Sequence, residues 1–281
     1  MPAAAFAETH GLRLYIGTYG MQSLPVERAL AEIRRIGYEG AELCVMPQWP
    51  SEAVNLDSGA RHRIRDARFP IPTLIDSFNL LASPEAHRLT LDRIKVNASL
   101  AHDVSPGKPP MLQTVLGGRP PEWPEVKDRM AARLEDWARA AAASRITLAV
   151  KGHISSAVDT PEKLLWLLNK VNHPALTAIY DYSHFSLMDL DMEKTMEQLL
   201  PRSGFITVKD ARRVGGQPSF LLPGEGTIDY VRYFRKVRQL KWRGWVLVEV
   251  SRQLQTLPGY DPLAAAEKSY RHLAACLNQP S

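Results

Sequence analysis

Ile146-Thr-Leu-Ala-Val150, Thr160-Pro-Glu162 and Leu176-Thr-Ala-Ile-Tyr180 lie one after another and decide the fold. The first and third runs are short, apolar and rich in β-branched residues, as strands buried on both faces are. Between them, a threonine followed by proline and glutamate is a helix start, and the helical stretch it opens runs to about Val171. Two strands separated by a helix pair in parallel through a right-handed crossover, so this segment is one β-α-β unit.

The same unit recurs on both sides. Leu12-Arg-Leu-Tyr-Ile-Gly17 reads as a first strand, followed by a helix over 25–36 with Ala29, Ile33 and Ile36 on one stripe. Gly37 to Gly40 stops that helix, 41–45 is a second strand, and a polar helix runs through Arg68. A third strand is expected over 71–81, with a helix opening at Ser83-Pro84-Glu85, and a fourth over 111–116, followed by an alanine-rich helix over 122–143. After the sixth strand come a helix over 191–200, a strand over 205–209, a helix over 230–240, a strand over 246–250 and a last helix over 262–276. Eight such units close a single (β/α)8 TIM barrel, expected as one domain over 1–281. An open doubly wound sheet is the alternative, but the turn after the first strand reads Thr18-Tyr19-Gly20 and lacks the G-x-G-x-x-G dinucleotide fingerprint. The Pro- and Gly-rich patch over 105–124 reads as loops over the barrel mouth.

With 45% hydrophobic and 23% charged residues, the 281-residue chain has an ordinary globular composition. Its net charge of +5 is spread among acidic residues, which argues against a nucleic-acid partner. Cys44 and Cys276 form no C-x-x-C pair, Met1 to His10 lack the pattern of a secretory signal, and no apolar run is long enough to span a membrane. A cytoplasmic protein with no membrane partner is expected, and a homo-oligomer stays open.

Polar residues fall where these strands end: Glu42, Asn79, Gln113, Lys151, His153, Asp181, His184, Lys209, Asp210 and Glu249. Barrel interiors are apolar, so charged groups at successive strand exits converge on one mouth, where barrel enzymes carry their chemistry. Asp181-Tyr-Ser-His184 offers a carboxylate and an imidazole three apart, a spacing compatible with one divalent cation. Glu249, in Val246-Leu-Val-Glu-Val250, is too costly to bury unpaired and should face a cation, either a metal or Lys151 or Lys209. Trp49, after the second strand, is the tryptophan placed to shape a pocket at the mouth, and the other tryptophans read as packing or rim residues. Asn79 and Gln113 are candidate partners for substrate hydroxyls.

Ile36-Gly-Tyr-Glu-Gly-Ala-Glu-Leu43, Asp181-Tyr-Ser-His184, Val208-Lys-Asp210, Leu222-Pro-Gly-Glu-Gly-Thr-Ile-Asp-Tyr230 and Gly244-Trp-Val-Leu-Val-Glu249 follow one another in an order that resembles the xylose isomerase-like TIM barrels of sugar phosphate isomerases and epimerases. The broader superfamily includes endonuclease IV. The resemblance implies a divalent metal held by a Glu after the fifth strand, an Asp after the sixth, a His at the seventh and a Glu at the eighth. Asp181 and Glu249 match. Lys151 stands at the fifth-strand position and Thr207 at the seventh. A site rebuilt from Asp181, His184, Glu249 and His153 around Mn2+, Mg2+ or Zn2+ stays an open alternative to a lysine in the metal's role.

The resemblance further implies proton exchange next to a carbonyl through an enediolate on a small carbohydrate. Glu249 is then the expected base, with Lys151 or a metal on the enediolate oxygen and Lys151 or His184 returning the proton. A keto-sugar or keto-glycoside lyase or dehydratase working by β-elimination shares the first step. A Schiff base at Lys151 or Lys209 is a third route, and a degenerate barrel serving as a binding subunit is the non-enzymatic one. The multi-histidine, multi-zinc site of a repair nuclease is not expected, because His10, His62, His87 and His272 fall away from the strand ends.

Overall fold

A computed structural model of the chain describes residues 11–279, so the expectation for Met1 to His10 lies outside the described residues. Eight parallel strands close a barrel: β1 (Leu12–Gly17), β2 (Gly40–Cys44), β3 (Thr73–Ile75), β4 (Met111–Thr114), β5 (Leu148–Lys151), β6 (Leu176–Asp181), β7 (Ser203–Val208) and β10 (Gly244–Val248), with β1 bonded to both β2 and β10. The connecting helices are α1 (Val26–Ile36), α2 (Ser58–Asp66), α3 (Pro84–Val104), α4 (Trp123–Ala143), α5 (Pro161–Val171), α6 (Tyr182–Ser186), α7 (Met192–Leu199), α8 (Tyr230–Gln239), α9 (Arg252–Gln255) and α10 (Pro262–Leu277). Their starts are chemically marked. Ser83 and Thr160 accept from the backbone N–H of Ala86 and Lys163, Asp261 accepts from Leu263 and Ala264, and a proline follows each cap. Each such cap is worth about 1 kcal/mol.

The period-two alternation of the strands sorts their side chains into two cores. Leu14, Ile16, Leu43, Leu74, Leu112, Val150, Tyr180, Ile206 and Val248 pack outward in one large cluster with the helices. Residues of opposite parity, Tyr15, Ala149, Ile179, Phe205 and Leu247, form a separate small cluster inside the barrel. Toward the C-terminal ends of the barrel strands, the buried polar positions are Glu42, Gln113, Lys151, Asp181 and Thr207. An apolar plug therefore sits beneath a polar layer at the C-terminal end.

Three expectations are corrected. The third strand is three residues long, not eleven, because the chain turns away at Asp76, whose carboxylate accepts from Ser77 N, Asn97 Nδ2 and Arg93. Residues 105–110 lead from α3 back to the start of β4 and so lie at the N-terminal end of the barrel, where Ser105, Lys108 and Pro109 share a depression with Arg13, Arg243 and Trp245. Only the part of the patch beyond Thr114 lies on the mouth side. Between β7 and α8 the chain also forms an antiparallel hairpin, β8 (Asp210–Val214) with β9 (Gln217–Leu221). Its turn residues Gly215 and Gly216 have φ of 56° and 79°, as a two-residue turn of this kind demands.

Candidate active site

Four charged side chains meet at the mouth. Lys151 Nζ lies 2.6 Å from Glu249 Oε2 and 3.1 Å from Asp181 Oδ2, while Lys209 Nζ lies 2.9 Å from Glu249 Oε1 and 2.6 Å from Asp181 Oδ2. Each ammonium thus bridges both carboxylates, and the quartet is neutral in sum. The remaining oxygen of Asp181 accepts from Ser183 Oγ at 2.6 Å. Glu249 follows β10 directly, and its backbone N–H still bonds Val208 O, which fixes the carboxylate above the seventh strand.

The cations set the protonation of this site. The Lys151 and Lys209 ammoniums overcome burial and hold Glu249 down at about 2, and Lys209 and Lys151 hold Asp181 well below the carboxylate range. Burial alone would lower Lys151, but Glu249 and Asp181 push it above the usual lysine value. His184 Nε2 sits 3.4 Å from both Lys209 Nζ and Asp181 Oδ2. Burial and the neighbouring ammoniums keep it neutral, with a pKa of about 4. His153 packs against it, the rings tilted at 45° with centroids 4.1 Å apart, and is lowered to about 2 by burial and by His184. Because His153 Nδ1 accepts from Ser155 N, its proton sits on Nε2.

A cavity of about 510 Å³ opens over the quartet. Glu249, Lys209, His153 and His184 line it together with Tyr19 and Phe220. The two carboxylates differ here: the Glu249 side chain is 12% exposed and the Asp181 side chain 1%. Glu249 is therefore the carboxylate a ligand reaches, and Asp181 anchors the lysines from below.

Beneath the quartet, Glu42 Oε2 accepts from Thr73 Oγ1 at 2.7 Å and from Gln113 Nε2. Burial raises Glu42 to about 8, which favours its neutral form at pH 7. Glu42 and Gln113 bond each other and do not line the cavity. Trp49 stacks on Tyr19 at 5.5 Å and donates to Tyr19 O, so it supports the cavity wall from behind. Asn79 and Asp210 are not brought to the site. Asn79 is exposed and its carboxamide oxygen accepts from Leu81 N, whereas Asp210 is fully buried and accepts from Gly224 N and Ile228 N, tying down the loop before α8.

Tyr19, Phe220 and Arg252 were not among the expected site residues. Tyr19 had a signal, since it directly follows the first strand. Phe220 and Arg252 belong to the hairpin and to α9, additions whose place over the mouth depends on tertiary packing.

The donor set does not fit a divalent metal. Both carboxylates are already bridged by two ammoniums, which offer no lone pair and repel a cation by about 4 kcal/mol per unit of charge at 4 Å with an effective dielectric of 20. Among the described residues no three His, Cys, Asp or Glu side chains converge as ligands. His153, proposed as a fourth ligand, is turned to Ser155, and the buried hydroxyl of Thr207 finds no hydrogen-bond partner among the described residues.

Residues 30–277 match the family described as the xylose isomerase-like TIM barrel. The chain belongs to that family. Among curated relatives, it is 24% identical over 167 residues to the inosose dehydratase of Lactiplantibacillus plantarum, covering 54% of this chain and 53% of that protein. The chain thus spans about half the length of the curated relatives it matches. Among solved structures, the IolI protein with a bound zinc atom superposes with a TM-score of 0.76 at 16% identity, covering 95% of this barrel and 100% of that chain. The 3-keto-D-glucoside 4-epimerase YcjR of E. coli gives 0.72 at 16% identity, with 94% and 100% covered. At these identities the superpositions establish the shared barrel of this family member.

Proposed function

We propose that this barrel is a dehydratase-type lyase that removes water from a keto-sugar or keto-cyclitol by β-elimination. The observation that carries the reading is the asymmetry of the mouth. One carboxylate, Glu249, faces the cavity, and the position across from it holds an ammonium. Epimerisation or isomerisation through an enediolate calls for proton exchange on two sides of the substrate, while elimination asks for one base and a stabiliser for the enolate oxygen. The curated relatives, all inosose dehydratases, fit the same reaction class.

When a substrate carbonyl oxygen enters, it competes for the Lys209 ammonium. Glu249 loses part of the charge that holds its pKa down and becomes a base. It takes the proton α to the carbonyl, and the electron pair moves onto the keto oxygen, where Lys209 donates to the developing enolate. The pair then returns to re-form the carbonyl, the α,β double bond forms, and the β-hydroxyl departs as water with the proton that Glu249 took up. The products are an unsaturated ketone and water. Schiff-base chemistry is disfavoured because both amines are committed to carboxylates, and Lys151 is held firmly as ammonium.

Incubation with an inosose and with a 3-keto-glycoside, followed by mass spectrometry, tests the reading. Loss of water from the inosose, and release of the aglycone as an alcohol from the 3-keto-glycoside, whose β-carbon carries no free hydroxyl, are expected. An epimer of unchanged mass supports the isomerase instead. Tight ligand binding without turnover supports a binding barrel, whose structural sign, Lys151 ion-paired to both carboxylates, is already present.

A further inference from the structure

We infer that Lys151 and Lys209 form a fixed, metal-free electrophilic centre in this barrel, and that Lys151 keeps divalent metal out by standing as an ammonium where a metal would need a ligand. The inference rests on the family fold and on the proposed enolate chemistry for the word electrophilic, but the exclusion of metal stands on geometry alone. A metal bridging Asp181 and Glu249 needs their oxygens at about 2.0–2.2 Å. Those same oxygens already receive two ammoniums at 2.6–3.1 Å, so a cation can enter only if a lysine leaves or gives up its proton. Neither is cheap. Lys151 is 4% exposed and Lys209 1% exposed, and each ammonium lies within 2.6–3.1 Å of both carboxylates, which leaves neither head group a solvated alternative.

The arrangement also explains why there are two lysines. One ammonium between two carboxylates would leave a buried net charge of −1, and the second restores neutrality. A divalent ion between the same carboxylates would be neutral as well. The lysine pair therefore delivers the charge of a metal, split over two N–H donors, with Lys209 on the cavity and Lys151 behind it.

Two substitutions at Lys151 separate the loss of its charge from the gain of a ligand. Lys151→Glu places a third carboxylate beside Asp181 and Glu249, with the His184 imidazole 3.4 Å from Asp181, and removes one of the two repelling charges. That is a donor set for Zn2+ or Mn2+. Lys151→Met removes the charge and adds no donor.

The test is metal stoichiometry by mass spectrometry on wild type, Lys151→Glu and Lys151→Met, each equilibrated with Zn2+ or Mn2+ and then dialysed, with circular dichroism to establish folding. Wild type and Lys151→Met are expected to retain essentially no metal, and Lys151→Glu to retain about one equivalent. Wild type holding about one equivalent overturns the inference whatever the variants do. A folded Lys151→Glu that retains none overturns the part assigned to Lys151. The readout is independent of turnover: a metal-free wild type that dehydrates no keto-sugar refutes the proposed reaction and leaves this inference intact, whereas dehydration that appears only with a bound metal refutes this inference and leaves the reaction intact.

Discussion

Glu249 at the mouth and Glu42 beneath it are two carboxyls whose surroundings push their titration in opposite directions. Glu249 is lowered to about 2 by two ammoniums, so its charged form stabilises the fold above the unfolded carboxyl range, and that contribution is lost as the pH falls through about 2. Lys209→Met, which strands a negative charge, should cost about 3–5 kcal/mol in denaturant melts at pH 7. Glu42 works the other way. Its folded pKa of about 8 exceeds the unfolded value of 4.5, so the stability of its protonated form is complete below the unfolded value and is lost as the pH rises through about 8. Glu42→Gln keeps a neutral acceptor for Thr73 and should flatten the pH dependence of stability between pH 5 and 8. An unchanged slope would show that Glu42 is ionised in the fold.

At the scale of elements, the hairpin β8–β9 and the short helix α9 turn a generic barrel end into a walled cavity. Phe220 closes one side, 4.9 Å from the His184 ring and beneath the Lys209 ammonium at 5.2 Å, and Gln253 of α9 accepts from Phe220 N. Phe220→Ala should raise KM more than it lowers kcat, because the wall binds substrate and does not react. The loop before α8 depends on Gly226, where a Cβ would collide with the Asp210 carboxylate, so Gly226→Ala should cost about 1–3 kcal/mol by overpacking, read as a lowered denaturation midpoint.

Much of this was legible in the chain. Helix caps at Ser83, Thr160 and Asp261 and apolar strands of fixed spacing gave the barrel order, and the strand-end rule brought Lys151, Asp181, His184, Lys209 and Glu249 together. Asp210 and Asn79 obeyed the same rule and were misread, because sequence does not show that a carboxylate or carboxamide will be consumed by nearby backbone N–H groups. The hairpin had a local sign in Gly215-Gly216, but its strands, Asp210–Val214 and Gln217–Leu221, lack the apolar alternation that marks a strand. That Lys209 would join Lys151 on the same two carboxylates required the closed barrel.

Over the whole molecule, the apolar plug and the charged layer occupy opposite ends of the barrel interior. The N-terminal end is filled by Tyr15, Phe205, Leu247 and Trp245, the mouth carries the charges, and no helix among the described residues is long and apolar enough to cross a membrane. Cys44 and Cys276 are free and buried, and burial pushes both thiols up, so the melting temperature should be the same with and without reductant. A shift would mean that these thiols oxidise or pair in solution.

The central claim is that Glu249, partly released from Lys209 by a substrate carbonyl, removes an α-proton. Incubating wild type and Glu249→Gln with a keto-sugar in deuterated water and following label at the α-carbon and loss of water tests it most directly. The account predicts solvent-coupled elimination in wild type and none in Glu249→Gln. Undiminished label exchange or elimination in the variant would contradict it.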